Sequence, residues 1–196
     1  MLNRANKVEN PLIVDNKIAK IPQFKEFSRE MDEQLVELLT SETWPFHGQE
    51  KPSADSIKKA LNKGFYTENG NKTFWIMNEH KKLGLIRIFD LEDPTCLFDL
   101  RLKEKERGRG LGLSCVRWLT NYIFTTYPHI IRIEAHTRND NFAMRKTLHK
   151  SGYVKEAYHR SAWPQGSNVY DSIGYAIVRK DWEEEKVTSI KDDFPF

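Results

Sequence analysis

Apolar residues recur along this chain first at helical and then at strand spacing, and each change of period marks an element. From Ser28 onward Met31, Leu35 and Leu38/Leu39 fall three or four apart. Glu30, Asp32 and Glu33 stand at the front, where a helix N-terminus favours negative charge. A first helix is predicted there, stopped before Trp44-Pro45-Phe46-His47-Gly48. Ser53 and Asp55 supply capping groups for a second helix that runs to about Asn62 and ends before Gly64. The period then shortens to two. Residues 74–77 and 83–89 predict two strands, and the charged turn 79–82 between them makes a hairpin. Asp93-Pro94 breaks the chain. Residues 96–102 predict a third strand with Phe98, Leu100 and Leu102 on one face and Leu97, Asp99 and Arg101 on the other.

Helical spacing returns at Val116, Leu119, Ile123, Phe124 and Tyr127, and Pro128 ends it. Residues 130–137 are β-rich. Asn139-Asp140-Asn141 caps a further helix whose apolar side carries Met144 and Leu148, and Gly152 sits where a left-handed residue closes a helix. Residues 153–160 and 169–178 predict two more strands around a Trp163-Pro164-Gln165-Gly166 loop. Ahead of these elements, residues 1–16 are polar with an apolar patch at Leu12 to Val14 and read as a first strand or a loose arm. Residues 17–24 alternate weakly and read as a strand or an extended entry. The order of elements predicts an α/β (α+β) fold with a mixed, largely antiparallel central sheet flanked by helices. One domain is expected over 1–182, with its core at about 70–182 and a charged arm over 183–196.

Composition narrows the classes. A 39% hydrophobic and 12% aromatic chain is globular rather than disordered. The 31 Lys and Arg are interspersed with 28 Asp and Glu, so no basic field marks a nucleic-acid partner. Cys96 and Cys115 form no CxxC, and the six histidines have no ligand-like spacing, so no metal is expected. The polar start is unlike a signal peptide, and no run approaches the ~18 apolar residues of a membrane span. A cytoplasmic location follows as the expectation, with no membrane partner.

The chemistry gathers at Arg107-Gly108-Arg109-Gly110-Leu111-Gly112, between a strand and a long amphipathic helix. Glycines let backbone approach a bulky anion, and the free amides of a helix start point at it. Arg107 and Arg109 would add charge-assisted bonds to phosphate oxygens. A Walker loop is excluded, because no Lys-Ser or Lys-Thr follows, and a dinucleotide fingerprint would need glycine where Leu113 stands.

One strand further on, Asn141 opens a helix that ends in Lys150-Ser151-Gly152-Tyr153. Together these segments resemble the GCN5-related N-acetyltransferase superfamily, whose loop has the form [Q/R]xxGx[G/A], matched by Arg107, Gly110 and Gly112. The resemblance spans about residues 70–182. The ending, Asp171 with Tyr175 to Trp182, is similar to the branch that contains the ribosomal-protein alanine acetyltransferases. The resemblance implies a splayed sheet with the pantetheine arm of acetyl-CoA in the gap. Backbone near Leu100 and Leu102 would pair with that arm. Amides of Arg107, Gly108, Arg109, Gly110, Leu111, Gly112 and Leu113 would hold the pyrophosphate. Asn141 would bond the arm, or act only as a helix cap. The implied reaction is acetyl transfer from acetyl-CoA to a primary amine, a protein N-terminus or a small amine, by direct attack in a ternary complex. A homodimer is the assembly to test.

Such an attack needs a base for the ammonium proton and a donor for the oxyanion. Asp99, Glu134 and His136 border the implied gap and are the candidate bases; the alternative for Asp99 is a surface partner of Arg101 or Arg87, and for His136 a packing or hydrogen-bonding residue. Many relatives place a tyrosine acid two residues before the lysine of Lys-x-Gly; here that position is Leu148. The departure leaves a second reading open, an acyl-CoA-binding module without catalysis. A third, a nucleic-acid binder using Arg101, Arg107 and Arg109, would make the Asn141 to Tyr153 segment a coincidence. Trp44, Phe46, His47, Tyr158, Trp163 and Tyr170 lie in the variable parts expected to edge an acceptor pocket, at least half of them as core.

Overall fold

The computed structural model describes residues 22–192. The reading of 1–16, and of the extended entry as far as 21, lies outside the described residues. In chain order the elements are β1 (Gln23–Glu26), α1 (Asp32–Ser41), α2 (Ala54–Asn62), β2 (Lys72–Asn78), β3 (Lys81–Phe89), β4 (Thr95–Leu102), α3 (Leu111–Thr126), β5 (Arg132–Arg138), α4 (Phe142–Lys150), β6 (Val154–Gln165), β7 (Asn168–Val178) and α5 (Arg179–Glu184). The strands form one sheet in the order β1-β2-β3-β4-β5-β7-β6. The β4–β5 pair alone is parallel, because α3 crosses between these two strands and returns the chain in the same direction.

Two apolar cores lie on opposite faces of the sheet, as alternation along the strands requires. Phe74, Ile76, Ile86, Ile88, Cys96, Phe98, Ile133 and Ala135 meet Cys115, Val116, Leu119 and Ile123 of α3 and Leu148 of α4. On the other face Trp75 and Leu85 meet Leu35, Leu38 and Leu39 of α1 and Ile57 and Leu61 of α2. Leu119 and Ile123 have no exposed surface, and each contributes about 1.5–3 kcal/mol by burial. The α3 spacing therefore gave the correct buried face. Its C-terminal carbonyls are closed by Arg179, which donates to Phe124 O at 2.8 Å, Tyr127 O at 2.7 Å and Ile130 O at 2.8 Å.

Two elements differ from expectation. Residues 163–165, read as loop, continue β6, with Pro164 paired opposite Val169. This is the edge of the sheet, where a residue without N–H is tolerated. The start of the expected arm, 183–184, closes α5, and Thr188 of the arm donates to the buried Asp181 of that helix from N at 3.0 Å and Oγ1 at 2.7 Å.

The feature that positions the site is a fork. β4 and β5 pair only at Thr95↔Arg132, Cys96↔Ile133 and Leu97↔Glu134. Beyond that point β4 stays paired with β3 as far as Leu102, and β5 stays paired with β7 as far as Arg138. Their facing edges thus carry backbone groups with no strand partner. Gly84 fixes the β3 side of the fork, since a Cβ there would lie 2.0 Å from the Arg101 carbonyl oxygen.

Candidate active site

The open end of the fork runs into the glycine turn. Gly108 and Gly110 hold φ of +73° and +79°, left-handed values that cost other residues about 1–2 kcal/mol. A Cβ at either would meet nothing within 4 Å, so the glycines serve the backbone path and leave open space in front of it. Among the described residues, the amides of Gly108 to Gly112 have no backbone acceptor. They stand at the start of the 16-residue α3, a ready anion site.

A cleft of about 470 Å³ follows the fork to this turn. Of the residues expected at the coenzyme, Leu100, Leu102, Arg107, Gly108, Gly110, Gly112, Leu113 and Asn141 line it. Arg109 and Leu111 do not, and the Arg109 side chain is 72% exposed, 3.9 Å from Glu106. The Arg107 guanidinium, expected to reach phosphate, is committed elsewhere. It donates to Leu102 O at 2.9 Å and Thr43 O at 2.8 Å, tying the turn to β4 and to the loop after α1. Asn141 does cap α4: its Oδ1 accepts from Met144 N at 3.2 Å and its Nδ2 donates to Thr137 Oγ1 at 3.0 Å. Gly152 is left-handed as expected, at φ +85°. The lining also includes Ala143, Lys146 and Thr147 of α4, which the sequence reading did not single out, and Met144 and Lys150, which it read only as helix face and helix ending. Steps of three and four along the helix, from Ala143 to Lys146 and Thr147 and on to Lys150, were the available signal.

Leu148, at the position of the missing tyrosine, has no exposed surface and belongs to the α3-side core. The neighbouring Tyr153 is also buried, shares a hydrogen bond with Thr120 at 2.9 Å, and burial raises its hydroxyl above the ordinary range. Cys96 and Cys115 are fully buried, and burial pushes both thiols up to about 12. None of these four side chains lines the cleft.

The other end of the cleft is built from the loop between α1 and α2. Trp44 is buried, its Nε1 bonded to Leu39 O at 2.9 Å, and it lines the cleft together with Pro45, Phe46 and His47. His47 Nδ1 lies 3.0 Å from Asp99 Oδ1, and Arg101 Nε lies 3.0 Å from Asp99 Oδ2. Burial acts to raise the Asp99 carboxyl, but His47 and Arg101 outweigh it and hold it well below the usual carboxylate range. Glu134 stands at the point of the fork. A hydrogen bond from Arg132 Nε at 2.7 Å, with His136 at 3.5 Å, holds it below that range too. The structure brings Asp99, but not Glu134, into contact with a residue that lines the cleft.

Arg138 is the structural centre of this end, and no sequence signal marked it. It pairs with Asp140 at 2.6 Å and donates to Pro45 O at 3.1 Å and Gln165 Oε1 at 2.8 Å. Its guanidinium lies 3.8 Å from the Tyr170 ring centre and 4.9 Å from that of Phe46. One buried cation thus joins the end of β5, the α1–α2 loop and the β6–β7 hairpin. Of the other expected pocket aromatics, Trp163 is half-buried and Tyr158, bonded to Asp171, is exposed.

A profile of the acetyltransferase (GNAT) domain matches residues 24–154. The chain belongs to the GNAT acetyltransferase family, and it is by class an acetyltransferase acting on an amine. Solved structures share the fold. A chimera of the spermidine N-acetyltransferase from Vibrio cholerae and hSSAT has TM-score 0.73 at 16% identity, covering 83% of this chain and 98% of its own. The spermidine N-acetyltransferase from Vibrio cholerae in complex with CoA and spermine has TM-score 0.68 at 14% identity, again over 83% and 98%. A probable acetyltransferase has TM-score 0.67 at 16% identity, over 85% and 97%. No curated protein sequence matches the chain.

Proposed function

We propose that this protein transfers the acetyl group of acetyl-CoA to a primary amine, a protein N-terminus or a small amine, by direct attack in a ternary complex. The observation that carries the reading is the β4–β5 fork, which leads unpaired strand backbone straight into a glycine turn with free amides. An extended pantetheine arm has amides at strand-like spacing, and the free edge of β4 at Leu100 and Leu102 offers partners to them. The amides of Gly108 to Gly112 suit its pyrophosphate, and Lys146 and Lys150 bring positive charge from α4. Apolar walls from Leu100, Leu102, Leu113 and Met144 suit the arm itself.

Direct attack is favoured over an acyl-enzyme because the cleft lining includes no cysteine or serine, and both thiols are buried and neutral. Leu148 supplies no acid. A thiolate is a far better leaving group than an amine or alkoxide, so it departs from the tetrahedral intermediate without one. The acceptor class has two sources of support. The 171–182 ending favours a protein N-terminus, and the neighbours named for spermidine favour a small polyamine.

The test is calorimetric titration of acetyl-CoA into wild type and Gly110→Glu. A thiol-release assay follows on spermidine, spermine and peptides with N-terminal Ala or Ser. Micromolar binding by wild type, its loss in the folded variant, and turnover of one amine are expected. Absence of binding by wild type overturns the reading. Binding without turnover of any amine replaces it with a coenzyme-binding module.

A further inference from the structure

We propose that His47 is the general base of the acetyl transfer and that Asp99 and Arg101 are positioning residues behind it. The inference rests on the acetyl-transfer reading of the cleft. Neither carboxylate expected from sequence then acts as the base itself.

The geometry is that of a base oriented by a second group. His47 lines the cleft together with Leu100 and Leu102, and its Nδ1 lies 3.0 Å from an oxygen of Asp99. An ionised carboxylate only accepts, so Nδ1 carries the hydrogen in this contact. The neutral ring then keeps its lone pair on Nε2, the nitrogen turned away from Asp99. Arg101 holds the second Asp99 oxygen at 3.0 Å and so fixes the carboxylate plane. The His47 and Asp99 side chains are each 21% exposed, accessible enough to exchange protons and dry enough to hold one geometry.

The supports of His47 are stiff. Its amide donates to Trp44 O at 3.1 Å, and its ring meets the buried Trp44 ring edge-on at 6.1 Å. Pro45 O, two residues before it, receives Arg138 Nη1 at 3.1 Å and Gln165 Nε2 at 2.9 Å. The turn is therefore clamped from the far side of the fork. The titratable groups around Asp99 are His47 and Arg101 in contact with it, Arg87 opposite it on β3, and Tyr66 in the loop after α2. Among the described residues Asp99 is the carboxylate that touches the imidazole.

In the reaction, Nε2 takes one proton from the acceptor ammonium, giving imidazolium and free amine. The amine nitrogen forms a bond to the thioester carbonyl carbon. The carbon–sulfur bond then breaks, and the electron pair leaves on sulfur, which takes the second nitrogen-bound proton. The imidazolium, held beside Asp99, returns its proton to water. The net result is amide, thiol and one proton released.

Three readouts test this assignment. Nitrogen-15 NMR of labelled histidine, assigned by difference with His47→Gln, needs no acceptor. The Nδ1–H tautomer is expected in wild type, and an Nε2–H tautomer overturns the proposal. With the best amine of the panel, His47→Ala is expected to lose about 10²–10⁴-fold in kcat. Its acetyl-CoA Kd should not change, and added imidazole should restore part of the rate. His47→Gln keeps a donor for Asp99 without a basic nitrogen, and covers the case in which the alanine variant fails to fold. A wild-type kcat in His47→Gln overturns the proposal. Asp99→Asn should lower kcat more than it raises KM and should mix the tautomers, and an unchanged His47 spectrum removes Asp99 from the positioning role. Failure of wild type to bind acetyl-CoA sinks the reading of the cleft, whereas the tautomer tests the His47–Asp99 pair by itself.

Discussion

The two ends of the cleft are made in different ways. The proposed coenzyme end is one short stretch of chain, Arg107 to Leu113, and the groups it offers are backbone amides at a helix start. The opposite end is assembled from side chains remote in sequence: His47 after α1, Asp99 on β4, Arg138 at the end of β5, Gln165 on the last hairpin. A site that presents backbone to a universal group such as pyrophosphate is constrained to glycine and a helix. A site that presents side chains to a particular amine is free to draw them from anywhere the fold permits. Substitutions at the two ends should therefore separate cleanly, one moving coenzyme affinity and the other acceptor kinetics.

The largest separation is expected from Gly110→Glu. The residue has φ +79°, and its Cβ would face open space where the anion is proposed to sit. A carboxylate there should weaken acetyl-CoA by more than ~100-fold, about 3 kcal/mol, by calorimetry. Circular dichroism should show an intact fold. Equal loss from Gly110→Ala would mean that the strained turn, not the charge, decides affinity.

At the other end Arg138→Met removes the Asp140 pair, both polar contacts to the loop and hairpin, and the stacking on Tyr170. Asp140 is 43% exposed and recovers water, so the cost is about 2–3 kcal/mol rather than that of a fully buried pair. Urea unfolding should show it. Acceptor KM should rise while the acetyl-CoA Kd stays as in wild type, and a parallel loss in both would erase the distinction between the two ends.

Why one end was legible follows from the same contrast. The α3 stripe, the Phe98/Leu100/Leu102 face and the glycine turn are periodic or contiguous, so spacing exposes them. The placement of Arg107 was legible but its guanidinium was not, because the carbonyls it binds, Leu102 O and Thr43 O, are adjacent only after folding. His47 and Arg138 carry no local pattern at all. Their partners lie 52 residues away at Asp99 and 93 residues away at Pro45. Asp99 was found as a strand acid facing the fork, yet that reading did not foresee the imidazole of His47 that reaches it beside Arg101. The β6 strand was cut short at Trp163-Pro164 because proline argues against a central strand, and the edge position that permits it is a property of the sheet order.

Leu148→Tyr sharpens the comparison by restoring the side chain common in the family between the two ends. The position has no exposed surface, so the larger ring overpacks the α3-side core and buries a hydroxyl. A loss of about 1–3 kcal/mol in urea unfolding is expected, with no gain in kcat. A gain in kcat would show that the cleft can use an acid the native chain lacks.

Asp99→Asn separates the ends by pH. The folded-state carboxyl lies well below its ordinary range, so its stabilising pairing is complete above about pH 4 and is lost as pH falls further. The asparagine variant should be less stable than wild type at neutral pH and should have a shallower fall in Tm toward acid. Parallel Tm profiles would show that the contacts of Asp99 with His47 and Arg101 contribute nothing to stability.

The smallest effect is expected where the coenzyme end does rely on side chains. Lys146 and Lys150 lie one helical turn apart on α4, and both line the cleft, yet both are exposed to solvent. Water and salt screen such charges, so the pair should contribute on the order of 1 kcal/mol to coenzyme affinity, a several-fold change in Kd. Lys146→Met with Lys150→Met should therefore weaken acetyl-CoA modestly and flatten the dependence of Kd on salt, because fewer counterions are exchanged. The backbone amides, fixed in place by the helix, should hold most of the affinity in the double variant. If that variant instead loses as much binding as Gly110→Glu, the coenzyme end is a side-chain site like its counterpart, and the contrast between them fails.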